Sequence, residues 1–171
     1  MKIQFKRNKR TVLKLLRTAS TEKKLRVLNR LDGMNDTDTI KILLKVLEDT
    51  SWVMREKAAY KLARYGKRVV PRLVKLLDRG FWYTRAAACI ALGEIADAKT
   101  VGPIVTVFLN DGNPTVQQEA VTALVKIAQK KLPLFSAALK ALKLDETSSL
   151  RLMLAIETND AQTYQSIKDS T

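Results

Sequence analysis

Residues 82–97 read WYTRAAACIALGEIAD, and two kindred stretches settle the architecture: WVMREKAAYKLARYG at 52–66 and PTVQQEAVTALVKIAQ at 114–129. Trp52 and Trp82 are 30 residues apart, and Trp82 and Pro114 are 32 apart. Self-similarity at such a period signals stacked supersecondary units. Arg55, Arg85 and Gln117 correspond between the copies, as do Ala58, Ala88 and Ala120, and Leu62, Leu92 and Leu124. Small and apolar residues at this spacing share one face of a helix.

A second helix follows each first one. About a turn and a half further on come Pro71, Pro103 and Pro133, each of which opens a helix, because backbone N–H groups of the first turn have no partner inside it. Apolar residues then recur: Leu73, Val74, Leu76 and Leu77; Val105, Phe108 and Leu109; Phe135, Ala138 and Leu139. Gly66 reads as a helix stop, and Asn113-Pro114 as a cap followed by proline at the first helical position. A fainter copy precedes these, with Lys24, Val27, Leu28 and Leu31 in the first-helix phase and Leu43, Leu44, Val46 and Leu47 in the second; Lys41 stands where the proline would be. The expected organisation is one domain over 1–171, with a basic N-terminal cap helix in 1–20 and repeats at 21–48, 49–79, 80–110 and 111–143. A C-terminal cap of two short helices over 144–171 completes it, the last around Tyr164 and Ile167.

The stretch TRAAACIALGEIADAKTVGPIVTVFLND at 84–111 resembles HEAT-like repeats, of the short variety also seen in phycobilin lyases, and the resemblance extends over about residues 22 to 143. It implies an all-α, right-handed α-solenoid of about four helix pairs with helical caps, serving as a scaffold or binding surface. Ankyrin repeats would need a Thr-Pro-Leu-His motif and tetratricopeptide repeats a proline after the second helix, and neither pattern is present.

Histidine is absent and Cys89 is the sole cysteine. Ser-His-Asp and Cys-His catalysis, His-ligated metals and thiolate cages lose their residues. No cofactor is expected, and the chain reads as a non-enzyme. Cys89 reads as a core residue, and a single cysteine fits the reducing cytoplasm. The basic N-terminus has no uninterrupted apolar core of signal-peptide length, and no segment has the roughly 20 apolar residues of a membrane span.

The net charge of +14 is unevenly distributed. Residues 1–31 hold eleven Lys or Arg against Glu22 alone, and residues 55–80 hold nine against Glu56 and Asp78. Arg7, Arg10, Lys14 and Arg17 fall at helical spacing, as do Lys23, Arg26 and Arg30; Lys57, Lys61 and Arg64; and Arg68, Arg72, Lys75 and Arg79. Such stripes are either ordinary solvated faces or a surface for an acidic partner. By the HEAT-like resemblance the second helices line the concave side, so Lys41, Lys45, Arg68, Arg72, Lys75 and Arg79 would gather positive potential in a groove.

Three readings of function follow. The first is docking of an acidic protein on the basic concave and N-terminal surface. The second is sequence-nonspecific DNA or RNA binding through phosphates, a use of a basic concave face that certain HEAT-like DNA glycosylases share. The third is a lyase accessory or a DNA-repair-like enzyme. Arg55, Arg85 and Gln117 read either as ligand contacts or as ties to the inter-repeat acids Asp49, Asp78 and Asp111. Trp52 and Trp82 share a repeat phase and read as packing at the joins. Phe81 and Tyr83 have no counterparts, so they join Arg79 as candidate contacts.

Overall fold

The computed structural model describes residues 9–31 and 34–170. Among them are ten α-helices: α1 (Lys9–Thr18), α2 (Thr21–Asn29), α3 (Asp36–Val46), α4 (Trp52–Ala63), α5 (Val70–Asp78), α6 (Trp82–Ile95), α7 (Val101–Asn110), α8 (Pro114–Ala141), α9 (Glu146–Asn159) and α10 (Ala161–Asp169). Short 3-10 turns at Gly66–Arg68 and Ala98–Thr100 lead into α5 and α7. The architecture is an all-α solenoid, in which the first helices α4, α6 and α8 stack in succession and α5 and α7 lie against them.

Local chemistry starts and stops these helices. Pro71 falls in the first turn of α5, and Pro103 is the third residue of α7. In α8 the non-helical Lys131 (φ −146°, ψ 44°) splits the run, so Pro133 opens the second half and α8 supplies both members of a pair. Gly66 takes the left-handed φ of +55° after α4, where a Cβ would be strained. The side chains of Asn35, Asn113, Asp145 and Asp160 accept bonds from first-turn N–H groups of α3, α8, α9 and α10, each contact contributing about 1 kcal/mol.

Two sequence expectations need correction. Lys41 lies within α3, which begins at Asp36, because the Asn35 cap starts that helix without a proline. In the C-terminal cap α9 has 14 residues, the same as α6, so it is a full first helix; the nine-residue α10 is the short one.

The centre of the stack is α6, buried from Ala86 to Gly93. Its small residues are required by the close approach of its neighbours. At Gly93 a Cβ would lie 2.7 Å from the Cα of Ala123 on α8, closer than packed carbons come. Leu62, Leu92 and Leu124, which share one repeat position, are fully buried in one continuous apolar core. No helix among the described residues is long and apolar enough to cross a membrane.

Candidate partner-binding surface

Each join between repeats is organised by the residue three positions after the start of its first helix. Lys24 and Arg85 hold this place in α2 and α6, and each reaches the acid that precedes the next first helix. Lys24 Nζ donates to Asp49 Oδ2 at 2.7 Å. The guanidinium of Arg85 grips Asp111 through two bonds, Nε to Oδ2 at 2.5 Å and Nη2 to Oδ1 at 2.9 Å. Asp49 and Asp111 also accept the N–H two residues on, from Ser51 and Asn113. The hydrogen bond from Arg85 is the main cause holding the Asp111 carboxyl below its ordinary range, and the same bond raises the pKa of Arg85.

Arg55 occupies the equivalent place in α4 but forms no ion pair with a carboxylate among the described residues, the charge of Asp49 acting on it at longer range. Its Nη1 donates to the carbonyls of Asp49 and Thr50 at 2.7 and 2.9 Å, as Gln117 donates to the Asp111 carbonyl at 2.6 Å. The Arg55 guanidinium carbon lies 4.8 Å from the centroid of the Tyr83 ring and 5.5 Å from that of Trp52. Arg55 is only 4% exposed, and burial lowers its pKa. The buried side-chain atoms without a hydrogen-bond partner among the described residues are Arg55 Nε and Thr84 Oγ1, both at this join.

The missing acid is explained by register. Asp49 and Asp111 stand three residues before Trp52 and Pro114; the residue three before Trp82 is Arg79. Asp78, which the sequence reading treats as the inter-repeat acid, is instead the exposed last residue of α5. The tie to inter-repeat acids therefore runs through the carboxylate for Arg85, and only through the backbone carbonyl for Arg55, to Asp49, and for Gln117, to Asp111. Aligning Leu47-Glu48-Asp49, Leu77-Asp78-Arg79 and Leu109-Asn110-Asp111 is the signal that would have revealed the substitution.

Around this join the aromatic residues form one cluster. Phe81 stacks on Tyr83 with centroids 5.1 Å apart and planes at 15°, while Trp82 meets Tyr83 edge-on at 5.6 Å. Tyr83 is half-buried beneath them. Phe81 is 64% exposed, Trp82 42% and Trp52 37%. Both tryptophans touch the join through Arg55 and Tyr83 and keep part of their surface in solvent.

The basic residues divide into engaged and unengaged sets. Lys45 pairs with Glu48, and Arg68 reaches Asp36 at 2.9 Å. Lys41, Lys14, Arg17, Arg72, Lys75 and Arg79 are exposed, with no ion pair or side-chain hydrogen bond among the described residues. Arg10 is exposed on α1, and Arg7 lies outside the described residues. The helical stripe expected from Arg68 to Arg79 is broken at both ends. Arg68 sits in the 3-10 turn and Arg79 leaves α5 in an extended conformation (φ −135°, ψ 126°), so Arg72 and Lys75 alone lie on the helix. Lys41 and Lys45 are on α3, whereas α7 carries no Lys or Arg.

Other features do not include the residues of the aromatic cluster. A cleft of about 260 Å³ involves Asp36, Thr39 and Leu43 of α3, Lys61 of α4, and Arg64 and Tyr65 just after it. Cys89 is fully buried in α6, and burial pushes its thiol pKa well up, which suits packing rather than nucleophilic attack. Among the described residues no group of three or more Cys, Asp or Glu is placed to hold a metal.

The sequence profile of HEAT repeats matches residues 10–80 and 70–158. Among solved structures the chain is similar to a designed armadillo repeat protein in complex with the peptide (KR)4, at 18% identity over 94% of this chain and 86% of that one, with a TM-score of 0.41. No curated protein matches.

Proposed function

Given that the chain belongs to the HEAT repeat family, we propose that it is a non-enzymatic scaffold that binds an acidic protein through the basic side of its N-terminal half. The observation that carries this reading is the run Arg72, Lys75 and Arg79, exposed and without an ion pair among the described residues, with Lys41 likewise on the preceding second helix. Unneutralised cations of one sign raise the local potential, speed encounter with acidic surfaces and disfavour basic ones. A surface kept only for solubility would mix both signs. The exposed Lys14 and Arg17 on α1 extend the positive region in this reading, and Arg10 lies on the same helix. The buried, lone Cys89 suits a reducing compartment, taken here as the cytoplasm.

Affinity capture of the tagged full chain, with bound proteins and nucleic acids both identified, tests this. The expected result is a partner with an acidic patch, held at least about 10-fold less tightly by the Arg72→Glu/Lys75→Glu variant and unaffected by changes in α10. Recovery of DNA or RNA with steep salt dependence, weakened by the same variant, would replace the protein reading with phosphate binding. Binding indifferent to the double reversal removes the basic surface from the function.

A further inference from the structure

We propose that the join between α5 and α6 is where the partner's acidic segment seats. A partner carboxylate fills, beside Arg79, the role that Asp49 and Asp111 play at the other joins, and the apolar side chain next to it lies on Phe81 and Trp82. This rests on the reading of the chain as a scaffold for an acidic protein and names the place of contact.

Three observations meet at this join. The first is charge: Lys24 and Arg85 have their carboxylates within the chain, whereas for the corresponding Arg55 the register position of that carboxylate, three residues before α6, holds Arg79. A buried cation without a direct ion pair is unfavourable, and the carbonyls of Asp49 and Thr50, the more distant charge of Asp49 and the faces of Tyr83 and Trp52 offset part of that cost. The second is unmet hydrogen bonding, at Arg55 Nε and Thr84 Oγ1. The third is apolar exposure, since Phe81 and Trp82 are large side chains left in solvent close in sequence to Arg79, which is exposed and has no ion pair among the described residues. An aromatic anchor beside an arginine is the composition typical of the energetic centre of a protein interface.

The loop is also held in shape. Arg85 Nη1 donates to the Gly80 carbonyl at 2.8 Å, and Gly80 takes a φ of +129° that a side chain would strain. A protein ligand fits the rings better than a nucleic acid does. Tyr83 is engaged by Phe81, Trp82 and Arg55 together, so the rings pack on one another instead of standing apart to receive successive bases.

Trp52 and Trp82 are the chain's two tryptophans and both border this join, so tryptophan emission reports on it directly. The probes are a glutamate-rich synthetic peptide carrying one phenylalanine, the same peptide with serine in its place, and oligo(dT), titrated into the full-length protein. The expected result is a saturable emission change with the phenylalanine peptide, and affinity about 10-fold or more weaker for the serine peptide, for Phe81→Ala and for Arg79→Asp. Arg79→Asp installs the residue type of the two neighbouring joins, and circular dichroism verifies that it folds. Unchanged emission, affinity indifferent to Arg79→Asp and Phe81→Ala, or tighter binding of oligo(dT) through these residues would each overturn the proposal. If Arg72→Glu/Lys75→Glu abolishes peptide binding while Arg79→Asp and Phe81→Ala preserve it, the seat is wrong and the scaffold reading stands. If none of these variants weakens the peptide, both fall.

Discussion

At the join between α6 and α8, Arg85 holds Asp111 in a forked ion pair. One repeat earlier, between α4 and α6, Arg55 meets Tyr83 and Trp52 instead, and Arg79 stands in the aspartate's place. Both joins bury the same leucine and alanine positions, Leu62 with Ala58 and Leu92 with Ala88. Helix stacking thus accommodates two ways of settling a cation. An internal carboxylate neutralises it and closes the join; aromatic faces shield it and leave positive charge and apolar rings facing outward.

The largest expected effect comes from breaking the closed join by size. Gly93→Val drives side-chain atoms into the α8 backbone at Ala123, and overpacking of this kind costs about 3 kcal/mol; urea denaturation would show a lower midpoint, whereas no loss would mean that α6 and α8 separate freely. Next is the ion pair itself. Asp111→Asn should cost about 2 kcal/mol at neutral pH, between the values for exposed and buried pairs, because Asp111 is nearly buried while Arg85 keeps some exposure.

Acid should erase that difference. Arg85 depresses the folded-state pKa of Asp111 below its unfolded value, so the pair's stabilisation is complete above the unfolded value of about 3.9 and is lost as pH falls through the folded one. Denaturation midpoints of the parent and Asp111→Asn proteins measured from pH 7 to pH 2 should converge in the acid range. Parallel curves would show that the carboxylate's charge is not what matters.

The smallest effect has the opposite sign. Arg79→Asp gives Arg55 the partner its neighbours have, and about 1 kcal/mol of added stability would raise Tm by about 2–4 °C in a chain of this size. Stability gained together with peptide affinity lost would make the open join a place where binding is kept at some expense of folding. A lower Tm would mean that Tyr83 already settles Arg55 better than a carboxylate can.

Repeat architecture was legible because its determinants are local and recur. Prolines mark helix starts through a missing N–H, and Ala58, Ala88 and Ala120 recur where helices come close. The surface was legible only in part. Arg68 and Arg79 fit a helical stripe by spacing, but a 3-10 turn and an extended C-cap remove them from α5, and spacing assumes an unbroken helix. The reversal at Arg79 was hidden by its neighbour Asp78, which offers a plausible acid one residue out of register. Exposure of Trp52 and Trp82 depends on how successive repeats are stacked, a property absent from either repeat taken alone.

The contact between Gly93 and Ala123 also limits how this protein can drift. The nearest atom to an added Cβ at 93 is the Cα of Ala123, so trimming position 123 to glycine brings no relief. The two helices would have to move apart as bodies, stretching the bond from Lys126 to Glu94 at 2.6 Å and that from Lys130 to the Glu94 carbonyl at 3.0 Å. A lineage that lost this glycine could not recover through one neighbouring change; it would need to rebuild the crossing of α6 and α8. Position 93 should therefore remain glycine in descendants that keep this crossing, even as the exposed residues around Phe81 change with the partner.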